Sequence, residues 1–201
     1  MKNRFNLIIL IVLILIFSDC GRKKKKPYQD FQQPVQKAEE INVNKSIYDA
    51  AYNGDISFVK QAVGNGLIID KVDENGSTAM MLAAFNGHTE VVKYLLDKDA
   101  DVNHRDNNNR TALMYASSGS ANQTVKVLLK AGAELDIVDN NEGFTAIMFA
   151  AAEGQIEVFK SLLAAGANIN LKDIDGETAR DFASNNGHSN IVTLIDQAVK
   201  K

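Results

Sequence analysis

The chain is poor in the residues that most often carry chemistry. Its one cysteine, Cys20, excludes a disulfide within the chain. Its three histidines, His88, His104 and His188, are spread too widely for a metal cluster, and His104-x-Asp106 alone reads as a solvated loop rather than a ligand pair. No phosphate loop, dinucleotide fingerprint or nucleophile elbow occurs. These absences speak against an enzyme, a cofactor and a metal; catalysis, or a small-ligand site, would need a polar pocket that the sequence does not announce. The longest apolar run, Leu7–Phe17, has eleven residues, against the roughly 20 that a spanning helix needs. A basic excess is also missing where the chain would need one to track nucleic acid. From Glu40 to Lys201 there are 14 Lys and Arg against 22 Asp and Glu, a net charge of −8, so no nucleic-acid partner is expected.

What the chain has instead is self-similarity. Thr78, Thr111, Thr145 and Thr178 are spaced by 33, 34 and 33 residues. Gly76, Asn109, Gly143 and Gly176 stand two residues before them, and Ala83-Ala84, Ala116-Ser117, Ala150-Ala151 and Ala183-Ser184 follow at a constant offset. A fixed period of this size marks a solenoid, in which each unit buries its apolar face only against its neighbours. Each threonine is placed to N-cap a helix, its hydroxyl accepting from an orphan backbone N–H. Small residues then let that helix lie close to its copy. Gly87, Gly154 and Gly187 supply a left-handed end, and a second helix follows with a stripe such as Val91, Val92, Leu95 and Leu96.

This pattern resembles the ankyrin repeat: an aspartate-led tip, a threonine, an alanine pair, Gly-His, a valine–leucine stripe and Gly-Ala-Asp. The resemblance implies an all-α solenoid of helix-turn-helix units joined by β-hairpin loops. About five repeats are expected, at residues 40–72, 73–105, 106–139, 140–172 and 173–201, with atypical terminal caps. The first unit lacks the threonine and its hairpin. The third departs most, with Asn109 at its tip, Gly119-Ser120-Ala121 for Asn-Gly-His, and Thr124 interrupting the stripe; its first helix is expected to end a residue early. Asp99 replaces a turn glycine, and Asp139 reads as an inserted residue that bulges the fourth tip. Met81, Met114, Met148 and Asp181 stand at the family's histidine position, so the usual threonine–histidine hydrogen bond is lost. His88 and His188 match the Gly-His position, where the imidazole satisfies backbone groups between repeats.

The family's function lies in its surface. Partners of such repeats dock on the tips and the exposed side of the first helices. Carried over, that face comprises Phe85, Asn86, Arg105, Asn107, Asn108, Arg110, Val138, Asn141, Glu142, Phe144 and Glu153. Position by position its chemistry varies, with Ser77, Arg110, Phe144 and Glu177 in equivalent places. Phe144 has two readings, an apolar anchor for a partner or a ring folded onto its own tip. The expected partner is a protein, bound by a single copy of the chain.

The N-terminal stretch gives an address. Lys2 and Arg4 precede the apolar run, and the run ends in Phe17-Ser18-Asp19-Cys20-Gly21. This resembles a bacterial lipoprotein signal, with residues 1–19 removed and lipid added to the Cys20 sulfur; Phe17 and Asp19 depart from the usual box. Residues 20–39 then form a basic, flexible linker to a cell-envelope membrane. The other reading makes Cys20 an inert thiol beside an uncleaved anchor. Arg22 and Lys23–Lys26 follow the run with five positive charges, an arrangement that keeps the repeats on the cytoplasmic side.

Overall fold

The computed structural model describes residues 46–199; the apolar run, Cys20 and the linker lie outside the described residues. Among the described residues ten helices follow one another in pairs: α1 (Ile47–Tyr52) and α2 (Ile56–Gly64), α3 (Ala79–Phe85) and α4 (Thr89–Leu96), α5 (Ala112–Ser118) and α6 (Asn122–Lys130), α7 (Ala146–Ala152) and α8 (Ile156–Ala165), α9 (Ala179–Asn185) and α10 (Ser189–Ala198). First helices stack on first helices, α1 to α9, and second helices on second helices, α2 to α10. The stacking works because the faces that meet are small. Ala50, Ala51, Ala83, Ala84, Ala116, Ser117, Ala150, Ala151 and Ala183 are fully buried. Bulk comes from one layer of larger side chains, including Met80, Met81, Leu113, Met114, Ile147 and Met148, and from Leu95, Leu128, Phe159, Leu162 and Ile191 on the second helices. Such close packing makes truncation expensive, about 3–5 kcal/mol for a buried Phe.

The helix starts follow the expected logic with different atoms. The Thr78 and Thr111 hydroxyls each accept from the N–H three residues on, at 3.4 Å. Thr145 does not: its hydroxyl is buried without a partner. Thr178 instead donates its hydroxyl to Asp181 at 2.7 Å. Where the threonine–histidine bond is lost, sulfur stands in for imidazole. The Thr78 and Thr145 N–H groups point at the Met81 and Met148 sulfurs at 3.5 and 3.4 Å, while Asp181 receives the Thr178 N–H at 2.8 Å. The first repeat has an equivalent start after all. Ser46 accepts from the Asp49 N–H, and the Asp49 carboxylate receives the Ser46 N–H, both at 3.1 Å, a reciprocal cap.

Three expectations need correction. The first helix of the third repeat, α5, has seven residues like α3, α7 and α9; the degenerate sequence changes its end, not its length. Gly119 closes it in an extended conformation, φ −106° and ψ 178°, where Asn86 and Asn186 have ψ near 5°. Thr124 does not break the stripe: it is fully buried, and its hydroxyl meets the Thr89 hydroxyl at 2.8 Å. The loops between repeats are hairpin-like tips with few ladder bonds, the one bridge among the described residues joining Val72 and Thr78. Asp99 does adopt the left-handed turn, at φ 63°, with Asn109 at φ 60°.

Candidate partner-binding face

Four aspartates build the tips. Asp73, Asp106, Asp139 and Asp173 each donate their N–H across the tip, to the carbonyls of Ser77, Arg110, Phe144 and Glu177. Each also turns Oδ1 back to collect tip N–H groups: Asn75 and Ser77 for Asp73, Asn108 and Arg110 for Asp106, Asp175 and Glu177 for Asp173. This is turn chemistry, the side chain replacing a strand partner. Asp139 is therefore the tip aspartate of the fourth repeat and not an insertion ahead of it. The extra residue lies within the tip, and Asp139 holds it by accepting from Glu142, Gly143 and Phe144 at 2.9–3.1 Å. Adjacent tips are then linked by backbone bonds, Asn107 N–H to Asn75 O, Asn140 to Asn108 and Ile174 to Glu142, at 2.9–3.0 Å.

Along the outer side of the first helices run aromatic rings. Tyr52 stacks on Phe85 with centroids 6.5 Å apart, and Phe85 meets Tyr115 edge-on at 6.2 Å. A second group joins Phe144 to Phe149 at 5.2 Å and to Phe182 at 4.5 Å. The two groups differ in exposure. Tyr52 and Phe85 are 47% and 44% exposed, whereas Phe144, Phe149 and Phe182 are half-buried against the core. The Phe144 ring packs on Phe149 and Phe182, first-helix rings of its own and the next repeat, rather than onto its own tip.

Arg110 lies between the groups. Its Nε and Nη2 donate to Asp139 Oδ2 at 2.9 and 2.8 Å, and the guanidinium sits 5.3 Å from the Phe149 ring centre. Burial by itself would raise the Asp139 pKa, but the Arg110 hydrogen bonds, the Phe144 and Glu142 N–H groups and the Arg110 charge hold the carboxyl below its ordinary value. The neighbouring Tyr115 hydroxyl donates to Asp106 Oδ2 at 2.7 Å. Burial, then that bond and the Asp106 charge, push the Tyr115 phenol up to about 12. Both polar groups are fixed parts of the framework.

The remaining face residues divide by what they already do. Asn86, Arg105, Asn107, Asn108, Val138, Asn141, Glu142 and Glu153 are exposed. Within that set Asn107 donates to Glu74 O at 3.1 Å, and Arg105 reaches Glu134 at 3.4 Å. Arg110 and Phe144 are engaged within the fold. Tyr52, Tyr115, Phe149 and Phe182 belong to the same surface and were not among the residues carried over to it. The signal was present, since Tyr52 and Phe85 each precede an Asn-Gly turn directly after an alanine pair.

Behind the face, the turns between paired helices lock one repeat to the next. Asn86 Nδ2 and His88 Nε2 both lie against the Tyr52 carbonyl, at 2.7 and 2.9 Å. Asn186 and His188 repeat this on Ala152 O, at 2.9 and 3.0 Å. His104 is not a solvated loop residue: it is half-buried, with Nε2 3.2 Å from Gly76 O. Among the described residues no group of His, Cys, Asp and Glu forms a cluster able to hold a metal, and no helix is long and apolar enough to cross a membrane.

A family description of ankyrin repeats (3 copies) matches residues 47–139 and again 118–200, the span that forms the helix pairs. The chain belongs to the ankyrin repeat family. Ankyrin repeats are protein-interaction modules, which agrees with a surface of variable tips over a repeating core. A comparison with curated proteins found no match.

Proposed function

We propose that this ankyrin protein is a non-catalytic, membrane-anchored module that holds a protein partner against its first helices and tips. One observation carries this reading: Tyr52 and Phe85, two adjacent large rings, stand about half exposed on the variable face of an otherwise close-packed array. Exposed rings flanked by polar side chains are the residue types that become binding hot spots. The other exposed residues of the face are Asn86, Arg105, Asn107, Asn108, Val138, Asn141, Glu142 and Glu153. The chain acts as one copy, without a cofactor.

The anchor is the lipid proposed on Cys20, at the bacterial cell envelope, with the basic run Arg22–Lys26 adding affinity for anionic headgroups. Cys20→Ala is expected to abolish acyl labelling and leave an unprocessed precursor; unchanged processing and labelling would remove the lipoprotein reading. The five positive charges after the apolar run favour a second reading, an uncleaved anchor with the repeats on the cytoplasmic side. Protease added after the outer membrane is permeabilised separates the two, degrading the repeats only if they lie outside the inner membrane.

A further inference from the structure

The third repeat lacks both side chains that tie the second repeat to the first and the fifth to the fourth. At the positions of Asn86 and His88 it has Gly119 and Ala121. The carbonyl they would have reached is that of Phe85, the counterpart of Tyr52 O and Ala152 O. Among the described residues no N–H or O–H donates to Phe85 O. The imidazole volume is open as well. A Cβ built on Gly54 or Gly154 would run into the ring of His88 or His188 at 2.5 Å, whereas one on Gly87 meets only Ala121, its Cβ at 3.2 Å. The fourth repeat keeps side chains at both positions, Glu153 and Gln155. A notch of about 500 Å³ results between the second and third repeats, lined by Phe85, Asn86, Ser120, Asn122 and Gln123 among others.

We infer that this notch is a recognition pocket for an arginine side chain of the protein partner, which supplies from outside the donors that Asn and His supply elsewhere. The two filled turns define the chemistry, a carbonyl receiving two nitrogens at 2.7–3.0 Å from different directions. A guanidinium presents several N–H donors in one plane and meets that demand with a single group. Its charge is favoured by the acidic repeat region. Phe85 links the notch to the face, because its carbonyl faces Gly119, a lining residue, while its ring stands in the exposed aromatic pair. A partner lying on Tyr52 and Phe85 thus has the notch within reach of one long side chain.

The inference rests on the proposed interaction role, and its test separates the two. The full-length chain, ¹⁵N-labelled in detergent micelles, is titrated with N-acetylarginine amide and with N-acetyllysine amide. Saturable shifts are expected at Gly119, Ser120 and Ala121 with the arginine probe, at least about tenfold weaker with lysine, whose single ammonium lacks the planar fork. Restoring the turn with Gly119→Asn, Ser120→Gly and Ala121→His is expected to abolish the arginine response and raise the melting temperature. Ala121→His alone serves if the triple variant does not fold. No saturable shift, equal shifts with lysine, or an undiminished response in the filled variants overturns the notch. If a protein still cross-links from Phe85 in those cases, the interaction role stands without the notch. If none cross-links there, the interaction role falls by itself.

Discussion

Arg110 of the third repeat and Asp139 of the fourth form a two-nitrogen ion pair in which the carboxylate side chain is fully buried and the guanidinium is 28% exposed. The pair spans two repeats at the point where the fourth tip carries its extra residue. It closes that boundary together with the Asn140–Asn108 backbone bond. Removing Arg110 leaves Asp139 Oδ2 buried without its partner, while Oδ1 keeps its backbone donors. Arg110→Ala is therefore expected to destabilise the domain by about 2 kcal/mol in urea unfolding. A change below about 0.5 kcal/mol would make the pair ornamental.

The same pair sets an acid dependence. The Asp139 pKa is lowered in the folded state, so its contribution is present above the ordinary aspartate pKa, about 3.9. That contribution is lost as pH falls through the folded value. Between about pH 4 and 2, Asp139→Asn should lose less stability than the parent chain. Parallel acid profiles for the two would contradict the electrostatic role.

Tyr115 titrates in the opposite sense. With its phenol raised to about 12, the contribution of the neutral form is intact below about pH 10 and is lost as pH rises towards 12. Ultraviolet difference titration should show a late-ionising tyrosine that Tyr115→Phe removes, while Asp106→Asn, which leaves the burial in place, should only bring it earlier.

Phe144→Ala should lower stability by about 2 kcal/mol, because the ring contacts Phe149 and Phe182 across the fourth and fifth repeats. Partner affinity, measured on the folded fraction, should hold. Loss of binding with unchanged melting would return Phe144 to the contact surface.

Asp99 and Asn109 both sit at positive φ where other repeats have glycine, and they should answer differently. Asp99→Gly relieves strain and should stabilise by about 0.5–1 kcal/mol. Asn109→Gly relieves the same strain but deletes the Asn109 Nδ2 bond to Val138 O at 2.6 Å, so its net effect should be near zero. Thermal melting of the two variants checks both signs.

The helix pairs, the capping register and the glycine turns were legible because each repeats, so one observation was confirmed in several places along the chain. Less legible was how the copies differ. That Met81 and Met148 take over the lost histidine contact depends on a sulfur lying within reach of an N–H, which no spacing announces. Asp139 looked like an insertion because alignment on Thr145 places the extra residue anywhere between them; only the tip hydrogen bonds assign it. Phe144 was ambiguous since exposure of a tip ring depends on what the next repeat offers, here Phe182. Tyr52 was overlooked because the first repeat lacks the threonine that sets the register, and Tyr115 because the positions carried over in the third repeat stopped at Arg110. The open Phe85 carbonyl required knowing where Asn86 and His88 point.

The central claim is that a protein binds the exposed aromatic pair, and a photo-reactive side chain placed at position 85 tests it most directly. In cells, irradiation should yield one discrete protein adduct from position 85 and none from position 126, which is exposed on the second-helix side. With that partner purified, Phe85→Ala should weaken binding by roughly thirtyfold, the equivalent of about 2 kcal/mol at a hot spot. Melting should move by no more than the lost ring contacts, about 1 kcal/mol. An adduct from position 126 with none from 85, or unchanged affinity in Phe85→Ala, would contradict the assignment of this face.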